Sequence, residues 1–305
     1  MENTFGSLHY NAIGPYLKRL FGCRIAKLSL DGGFTCPNRD GSKGTGGCTF
    51  CNEDGSGRFT GPVAEQMRQL SSKWPEDTKY IAYFQNFTGT YAPVERLRSL
   101  WEDALAQPGC VGLAVATRPD CLPEDVLDLL SEFNKKTFLW VELGLQTANE
   151  ATADRFNRCW KNTDFEDAMR NLSTRGIKTV IHLILGLPGE DKRQVLASAE
   201  YAASFHPFGI KLHMLHLMEG TVMGKAYQKD PFPVLSREEY VALVCDVLER
   251  LPADITVHRV TGDAPRADLI APLWTGDKRA VLRAIQQEFK RRGTWQGCLC
   301  YNQKD

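Results

Sequence analysis

The chain has no net charge: across its 305 residues, 37 lysines and arginines are matched by 37 aspartates and glutamates. Global electrostatics therefore selects no partner class, whether nucleic acid, membrane or acidic ligand. Long apolar runs are also missing. The most apolar stretch, 180–187, is far too short to cross a bilayer. Residues 1–10 mix Glu2, Asn3, Thr4 and His9 where a signal peptide would be continuously apolar. There is no low-complexity tract and no short repeat. These absences lead to the expectation of a soluble, cytoplasmic protein without membrane association. Disulfides are rare in that compartment, so the ten cysteines read first as thiols. A tight cluster among them reads as metal-binding or catalytic.

What is present is a hydrophobic fraction of 43%, enough to bury one large core, arranged as a repeated short β-rich run followed by a helical pattern. Strands are expected at 24–30, 80–85, 110–116, 137–143, 179–185 and 210–217. Helical patterns follow at 62–73, 93–106, 123–134, 150–156 with 164–175, and 193–205. Apolar strands alternating with amphipathic helices imply parallel pairing through right-handed crossovers. Six such units fit a partial barrel or a doubly wound sheet, and in either the ligands gather at the carboxyl ends of the strands. A helix at 236–251, a short strand at 255–260 and a terminal helix at 277–292 follow. The expected organisation is one domain over 1–305: a lead-in (1–30), a barrel core (31–218) and a C-terminal α/β extension (219–305).

The strongest local signal is Cys36-Pro-Asn-Arg-Asp-Gly-Ser-Lys-Gly-Thr-Gly-Gly-Cys48-Thr-Phe-Cys51, directly after the first strand. Glycines at 41, 44, 46 and 47 let the backbone wrap closely around an inorganic core. Three thiolates bind three irons of a four-iron, four-sulfur cluster and leave the fourth iron for a small ligand. The competing reading is a structural zinc site, which requires a fourth protein ligand: Cys23, a histidine or another cysteine. A redox Cys-x-x-Cys would leave the third cysteine and the glycines unexplained.

Seven segments give this pattern a specific resemblance. They are Leu30-Asp-Gly-Gly-Phe-Thr-Cys-Pro-Asn-Arg-Asp-Gly41, Gly46-Gly-Cys-Thr-Phe-Cys51, Tyr83-Phe-Gln-Asn-Phe-Thr-Gly-Thr-Tyr-Ala-Pro93, Thr117-Arg-Pro-Asp120, Val141-Glu-Leu-Gly-Leu-Gln-Thr147, His182-Leu-Ile-Leu-Gly-Leu-Pro-Gly-Glu190 and Gly262-Asp-Ala-Pro265. In this order the chain resembles radical S-adenosylmethionine (radical SAM) proteins of the YtqA/YhcC type, a group related to the radical SAM half of the Elongator catalytic subunit. The long first cysteine interval resembles that branch, whereas radical SAM enzymes at large use Cys-x3-Cys-x2-Cys.

The resemblance implies a partial (β/α)6 radical SAM barrel, a 4Fe-4S cluster on Cys36, Cys48 and Cys51, and S-adenosyl-L-methionine as cosubstrate. It implies SAM contacts for Phe50 (adenine packing), Gln85 (the strand edge where relatives carry Gly-Gly-Glu), Thr117 (ribose), His182 and the pair Gln146 and Arg158 (ribose and carboxylate). Gly186-Leu-Pro-Gly189 resembles the adenine-side loop. Each has an ordinary alternative: a buried aromatic for Phe50, a helix start at 118–120, a solvated helix face for Arg158 beside Arg155 and Lys161, a satisfied core histidine for His182. Glu142 in an apolar strand demands a partner, because an unpaired buried carboxylate is costly. No catalytic acid or base stands out, and Cys298 and Cys300 are a weak sign of a second cluster.

The implied function is reductive cleavage of SAM to a 5′-deoxyadenosyl radical, for wobble-uridine side-chain modification of tRNA, fed by a donor such as flavodoxin or ferredoxin. Radical chemistry on a small metabolite or peptide is the alternative within the class; a non-catalytic zinc module is the alternative outside it. Two basic stretches speak for RNA: Lys18, Arg19, Arg24 and Lys27 without an acid in 4–30, and Lys278, Arg279, Arg283, Lys290, Arg291 and Arg292 in the terminal helix. Both are equally read as solvated faces. The chain stops at Asp305, short of the length of Elongator's acetyltransferase domain, so acetyl-CoA chemistry is not carried over.

Overall fold

A computed structural model describes residues 3–52 and 61–300. Its first strand alternates in burial because one face meets helices and the other faces inward. In β1 (Ile25–Leu30), Ala26, Leu28 and Leu30 are buried against helices while Lys27 and Ser29 turn to the opposite face. The following strands are β2 (Lys79–Phe84), β3 (Cys110–Thr117), β4 (Phe138–Gln146), β5 (Lys178–Leu185) and β6 (Gly209–Met214). A two-residue β7 (Leu217–Met218) precedes β8 (Thr256–Arg259) and β9 (Leu269–Ala271). The main sheet has the order β1-β2-β3-β4-β5-β6-β8, parallel throughout, and curls into a half-barrel; β7 and β9 form a small antiparallel ribbon.

The half-barrel matches expectation, with seven strands in place of six. The run at 255–260 is its last strand, so the C-terminal extension completes the sheet. Between neighbouring strands lie α2 (Val63–Ser71), α3 (Val94–Leu105), α4 (Glu124–Lys136), α5 (Glu150–Arg155) with α6 (Asn162–Thr174), and α7 (Lys192–Ser204). Pro62, Pro93 and Pro123 each occupy the residue before a helix, one position earlier than sequence alone indicates. Asp191 with Gln194 and Ser236 with Glu239 close reciprocal capping boxes at the starts of α7 and of the C-terminal helix Arg237–Arg250.

The core lies between the outer face of the sheet and these helices, with Trp101, Phe133, Phe84 and Leu97 fully buried. A second apolar group fills the floor of the lumen: Ile81, Trp140 and Val180, flanked by Ile25, Phe138 and Phe208. The N-terminal helix α1 (Ile13–Phe21) seals that floor from outside; Tyr16 packs edge-on against Phe208 and Phe21 against Phe138. The backbone of Asn11 accepts from Val257 on the outer edge of β8 at 2.7 Å, bridging the open side of the sheet. One end of the half-barrel is thus closed. The carboxyl ends of the strands form the open mouth. Among the described residues no helix is long and apolar enough to cross a membrane.

Candidate active site

The cysteine loop leaves β1 at the mouth. Its path is set by glycine and by one partner segment. Gly41, Gly46 and Gly47 have positive φ, where other L-residues are strained. Residues 156–157, after α5, clasp the loop: Thr49 N–H donates to the Phe156 carbonyl at 3.1 Å, and Asn157 Nδ2 donates to the carbonyls of Thr45 (3.0 Å) and Gly47 (2.8 Å). Asn38 returns a hydrogen bond to the Asn157 carbonyl at 2.5 Å and approaches Cys48 Sγ at 3.8 Å. Asn157 itself has φ 57°, a left-handed conformation that asparagine tolerates better than most residues. Nothing in its sequence surroundings marks Asn157 for this task.

Arg118 faces all three thiols. Asp120 grips its guanidinium with two bonds of 2.9 Å, which leaves Nη1 to reach Cys36 Sγ at 3.7 Å. The same cation favours thiolate at Cys48 and Cys51. Cys48 and Cys51 share a hydrogen bond, which holds Cys51 below the ordinary thiol range; that bond and then burial push Cys48 well above it. Arg39 donates to the Asn52 carbonyl at 2.6 Å and adds positive charge beside Cys51. Cys23 lies at the closed end, before β1. A six-residue strand, about 20 Å, separates it from Cys36, so Cys23 is not a fourth ligand. Among the described residues no three His, Cys, Asp or Glu side chains stand in metal-ligand positions. The cysteines are neighbours and do not form a finished cage. Three thiols under one guanidinium, in a loop of low steric demand, fit an anionic iron–sulfur core.

The other expected residues divide into two sets. Phe50 is half-buried and edge-on to Phe156 beside Leu187, Leu215 and Met223, leaving an apolar shelf next to the loop. Thr117 ends β3 with its hydroxyl 2.6 Å from that of Thr90. Gln85 lies half-buried just past the end of β2. Gln146 ends β4 across a register shift with φ 63°, a strained geometry that clusters at functional sites. Its side chain folds over Gly144, where a Cβ would meet it at 2.3 Å. These four stand at the mouth. Arg158 is otherwise engaged: it is buried, stacked on Trp160 at 3.8 Å, and bonded to the carbonyls of Trp160, Leu145 and Thr147 and to Asn162 Oδ1. It ties the turn after β4 to α6.

His182 belongs to a polar layer inside the lumen. Glu142, fully buried, accepts from His182 Nε2 (2.7 Å), Tyr83 Oη (2.6 Å), Lys211 Nζ (3.0 Å), Lys27 Nζ (3.2 Å) and Trp140 Nε1 (3.0 Å). Lys211 also donates to Tyr83 at 2.9 Å. Burial alone would raise the Glu142 pKa, but Lys211 and Lys27 hold it well below the usual carboxylate range. Burial lowers Lys211 to about 7 despite Glu142, and lowers His182 to about 4 with Lys211 acting in the same direction. A recess of about 780 Å³ lies elsewhere, on the outer side of the loop between Ser42, Tyr91 and Asp167; none of its walls faces this layer.

The basic stretches are also redistributed. Lys27 points into the lumen. Arg292 pairs with Asp246, Glu249 and Glu288, and Arg291 with Glu288. Lys18 and Arg19 are exposed, but on the helix that seals the closed end. Arg279 and Arg283 are exposed on the terminal helix Lys278–Arg292, which starts beside Asp263, past the carboxyl end of β8.

A curled parallel half-barrel with a three-cysteine loop at its carboxyl end defines a class of protein, and the chain belongs to it: the Radical SAM superfamily matches residues 39–202, and the Radical_SAM C-terminal domain matches residues 207–291. It is 46% identical over 296 residues to the Bacillus subtilis (strain 168) protein YtqA, covering 94% of this chain and 92% of that one. It is 26% identical over 198 residues to the tRNA uridine(34) acetyltransferase of Dehalococcoides mccartyi (strain CBDB1), covering 64% of this chain and 41% of that one. Among solved structures, Elp3 of the archaeon Methanocaldococcus infernus superposes with a TM-score of 0.68 at 17% identity, over 89% of this chain and 64% of that chain. Superfamily membership supports an enzyme and implies a 4Fe-4S cluster and SAM.

Proposed function

We propose that the protein cleaves SAM reductively at a 4Fe-4S cluster held by Cys36, Cys48 and Cys51, and modifies the wobble-uridine side chain of tRNA in the cytoplasm. The observation that carries the first half is the cysteine loop at the mouth of the half-barrel, its three thiols under Arg118. When bound there, the cluster and SAM would supply radical chemistry able to take hydrogen from an unactivated carbon.

The chain's own residues bind, orient and exclude water. Arg118, aligned by Asp120, stabilises anionic sulfur. The shelf of Phe50 and Phe156 offers an apolar face to adenine. Gln146, Thr117 and Gln85 offer polar groups at three strand ends for the ribose and the amino-acid part of SAM. The sealed floor keeps bulk water from entering behind the substrate. Arg158 supports Gln146 from beneath, through the carbonyls of Leu145 and Thr147. An electron donor such as flavodoxin or ferredoxin supplies the electron.

Support for the tRNA half comes from the relative named for uridine 34 of tRNA and from the exposed cations Arg279 and Arg283 near the mouth. The test is iron and sulfide content after purification without oxygen, then an assay for 5′-deoxyadenosine with SAM and dithionite. We expect about four irons, with product lost in Cys48→Ala. Colourless protein holding zinc and making no 5′-deoxyadenosine would overturn the reading. Binding of tRNA that weakens steeply with salt supports the second half. Activity on a small metabolite or peptide that ignores salt opposes it.

A further inference from the structure

The polar layer in the lumen is more than Glu142 requires. Six side chains from β1, β2, β4, β5 and β6 converge there: Lys27, Tyr83, Trp140, Glu142, His182 and Lys211. A carboxylate offers about four lone-pair positions, and five donors compete for them. The charges are also unequal. Among the described residues the layer holds two lysines and one glutamate, while Arg259 beside it is committed to Asp263 at 2.9 Å. A stabilising plug would need neither excess, since apolar residues fill the floor directly below and buried ion pairs contribute little net stability over apolar packing.

Exposure is graded in one direction. Side-chain exposure is 23% for Lys27 and 15% for His182, but 4% for Lys211 and 0% for Glu142. The layer is therefore open on the face of Lys27 and His182 and sealed behind Lys211. On β3 the neighbouring residues are the small Ala114 and Ala116, and Ala116 is the register partner of Glu142. Lys27 lies three residues below the last residue of β1, roughly 10 Å beneath the mouth at 3.3 Å per residue.

We propose that this layer is a substrate subsite that receives one carboxylate group, gripped by the Lys27 ammonium on the open side, beside His182, and counterbalanced by Lys211 beneath. The proposal rests on reading the lumen as the substrate chamber of a radical SAM enzyme. With Lys211 protonated the layer carries one surplus positive charge, which calls for a monoanion; a phosphate dianion would leave negative charge in excess. The depth of the subsite means the carboxylate arrives on a slender molecule or arm, with the carbons behind it directed toward the cysteine loop. Lys211, shifted to about 7 by burial against the pull of Glu142, would become fully charged when a second carboxylate arrives.

The test uses full-chain protein purified without oxygen, with neither SAM nor reductant, and difluoroacetate as a probe read by 19F line broadening. Acetate should displace the probe, and acetamide should fail to do so at tenfold higher concentration. Lys27→Met should weaken probe binding at least tenfold, and Lys27→Arg should retain it. Competition by acetamide equal to that by acetate, or unchanged binding in folded Lys27→Met, would overturn the subsite. Phosphate displacing the probe better than acetate would overturn the carboxylate class. Should Lys27→Met not fold, the acetate and acetamide comparison on the unsubstituted protein still decides. The titration needs no iron, so its failure is distinct from a failure to make 5′-deoxyadenosine.

Discussion

The two polar regions of this half-barrel are built in opposite ways. At the mouth, the cysteine loop is one contiguous segment, shaped by glycines and clasped by main-chain carbonyls and Asn157. In the lumen, the Glu142 layer is assembled from residues scattered between positions 27 and 211, and apart from Trp140 and Glu142, neighbours on β4, they meet only when the parallel strands pair. The loop carries reactive groups close to solvent, where losing one costs the fold little. The layer carries ions in the interior, where losing one leaves the others unpaired. A protein can thus keep its chemistry in a cheaply altered segment and its recognition in a frame that tolerates little change.

The sharpest way to break that contrast is to remove one group from each region. Glu142→Ala leaves two lysines without their carboxylate and should destabilise by about 3–5 kcal/mol. Cys48→Ala should cost no more than about 1 kcal/mol, and under the proposed function it should also lower iron content. Urea denaturation of both variants measures this. Equal losses would mean that the loop is part of the folding core.

A smaller effect is expected at the clasp. Asn157→Ala removes two hydrogen bonds to the loop and should cost about 1–3 kcal/mol, confined to the loop. The readout is iron release to a chelator, several-fold faster than in the unsubstituted protein, with the global melting transition nearly unchanged. A global loss with normal iron retention would place Asn157 in the core and remove its proposed role.

This contrast also explains what the sequence disclosed. Six strands and most crossover helices were legible because their periodicity is local, and Cys36, Cys48 and Cys51 because they share one segment. That 256–259 closes the main sheet was not legible, since strand order is a property of pairing. The helix Ile13–Phe21 escaped because Gly14 and Pro15 stand in its first turn, where they break the usual pattern. Lys27 counts as a surface cation in any linear tally, and only strand alternation turns it inward. Arg158 looks like a free guanidinium by spacing alone; that carbonyls of Leu145, Thr147 and Trp160 converge on it is a fact of three dimensions. His182 sits in an apolar strand, as expected of a buried histidine, but its partner is a carboxylate forty positions away.

The layer also sets a dependence on pH. The Lys211 pKa falls from 10.5 to about 7 in the folded protein, with Tyr83, Lys27, Glu142, Arg259, His182 and His213 around it. Between these values the unfolded chain binds more protons than the folded one, so stability rises as pH increases from about 7 toward 10. His182, lowered from 6.5 to about 4, adds a rise of the same sign between those two values. Chemical denaturation across pH should show the upper rise in the native sequence and lose it in Lys211→Met. A rise that survives that substitution would have to come from another group.

The smallest expected effect tests whether the two ends of the barrel meet the same partner. Arg279 and Arg283 stand on the helix that begins near the mouth, whereas Lys18 and Arg19 stand on the helix that seals the far end. A tRNA delivering one nucleotide to the cysteine loop has to lie across the mouth. Each cation that neutralises a phosphate contributes about 0.7–0.9 to the slope of log affinity against log salt. Arg279→Glu with Arg283→Glu should therefore lower that slope by about one to two, and Lys18→Glu with Arg19→Glu should leave it unchanged. The reverse result would put RNA on the closed end, away from the thiols, where binding could not present a base to the radical. Equal effects at both ends would mean a contact governed by diffuse charge, with no oriented substrate behind it.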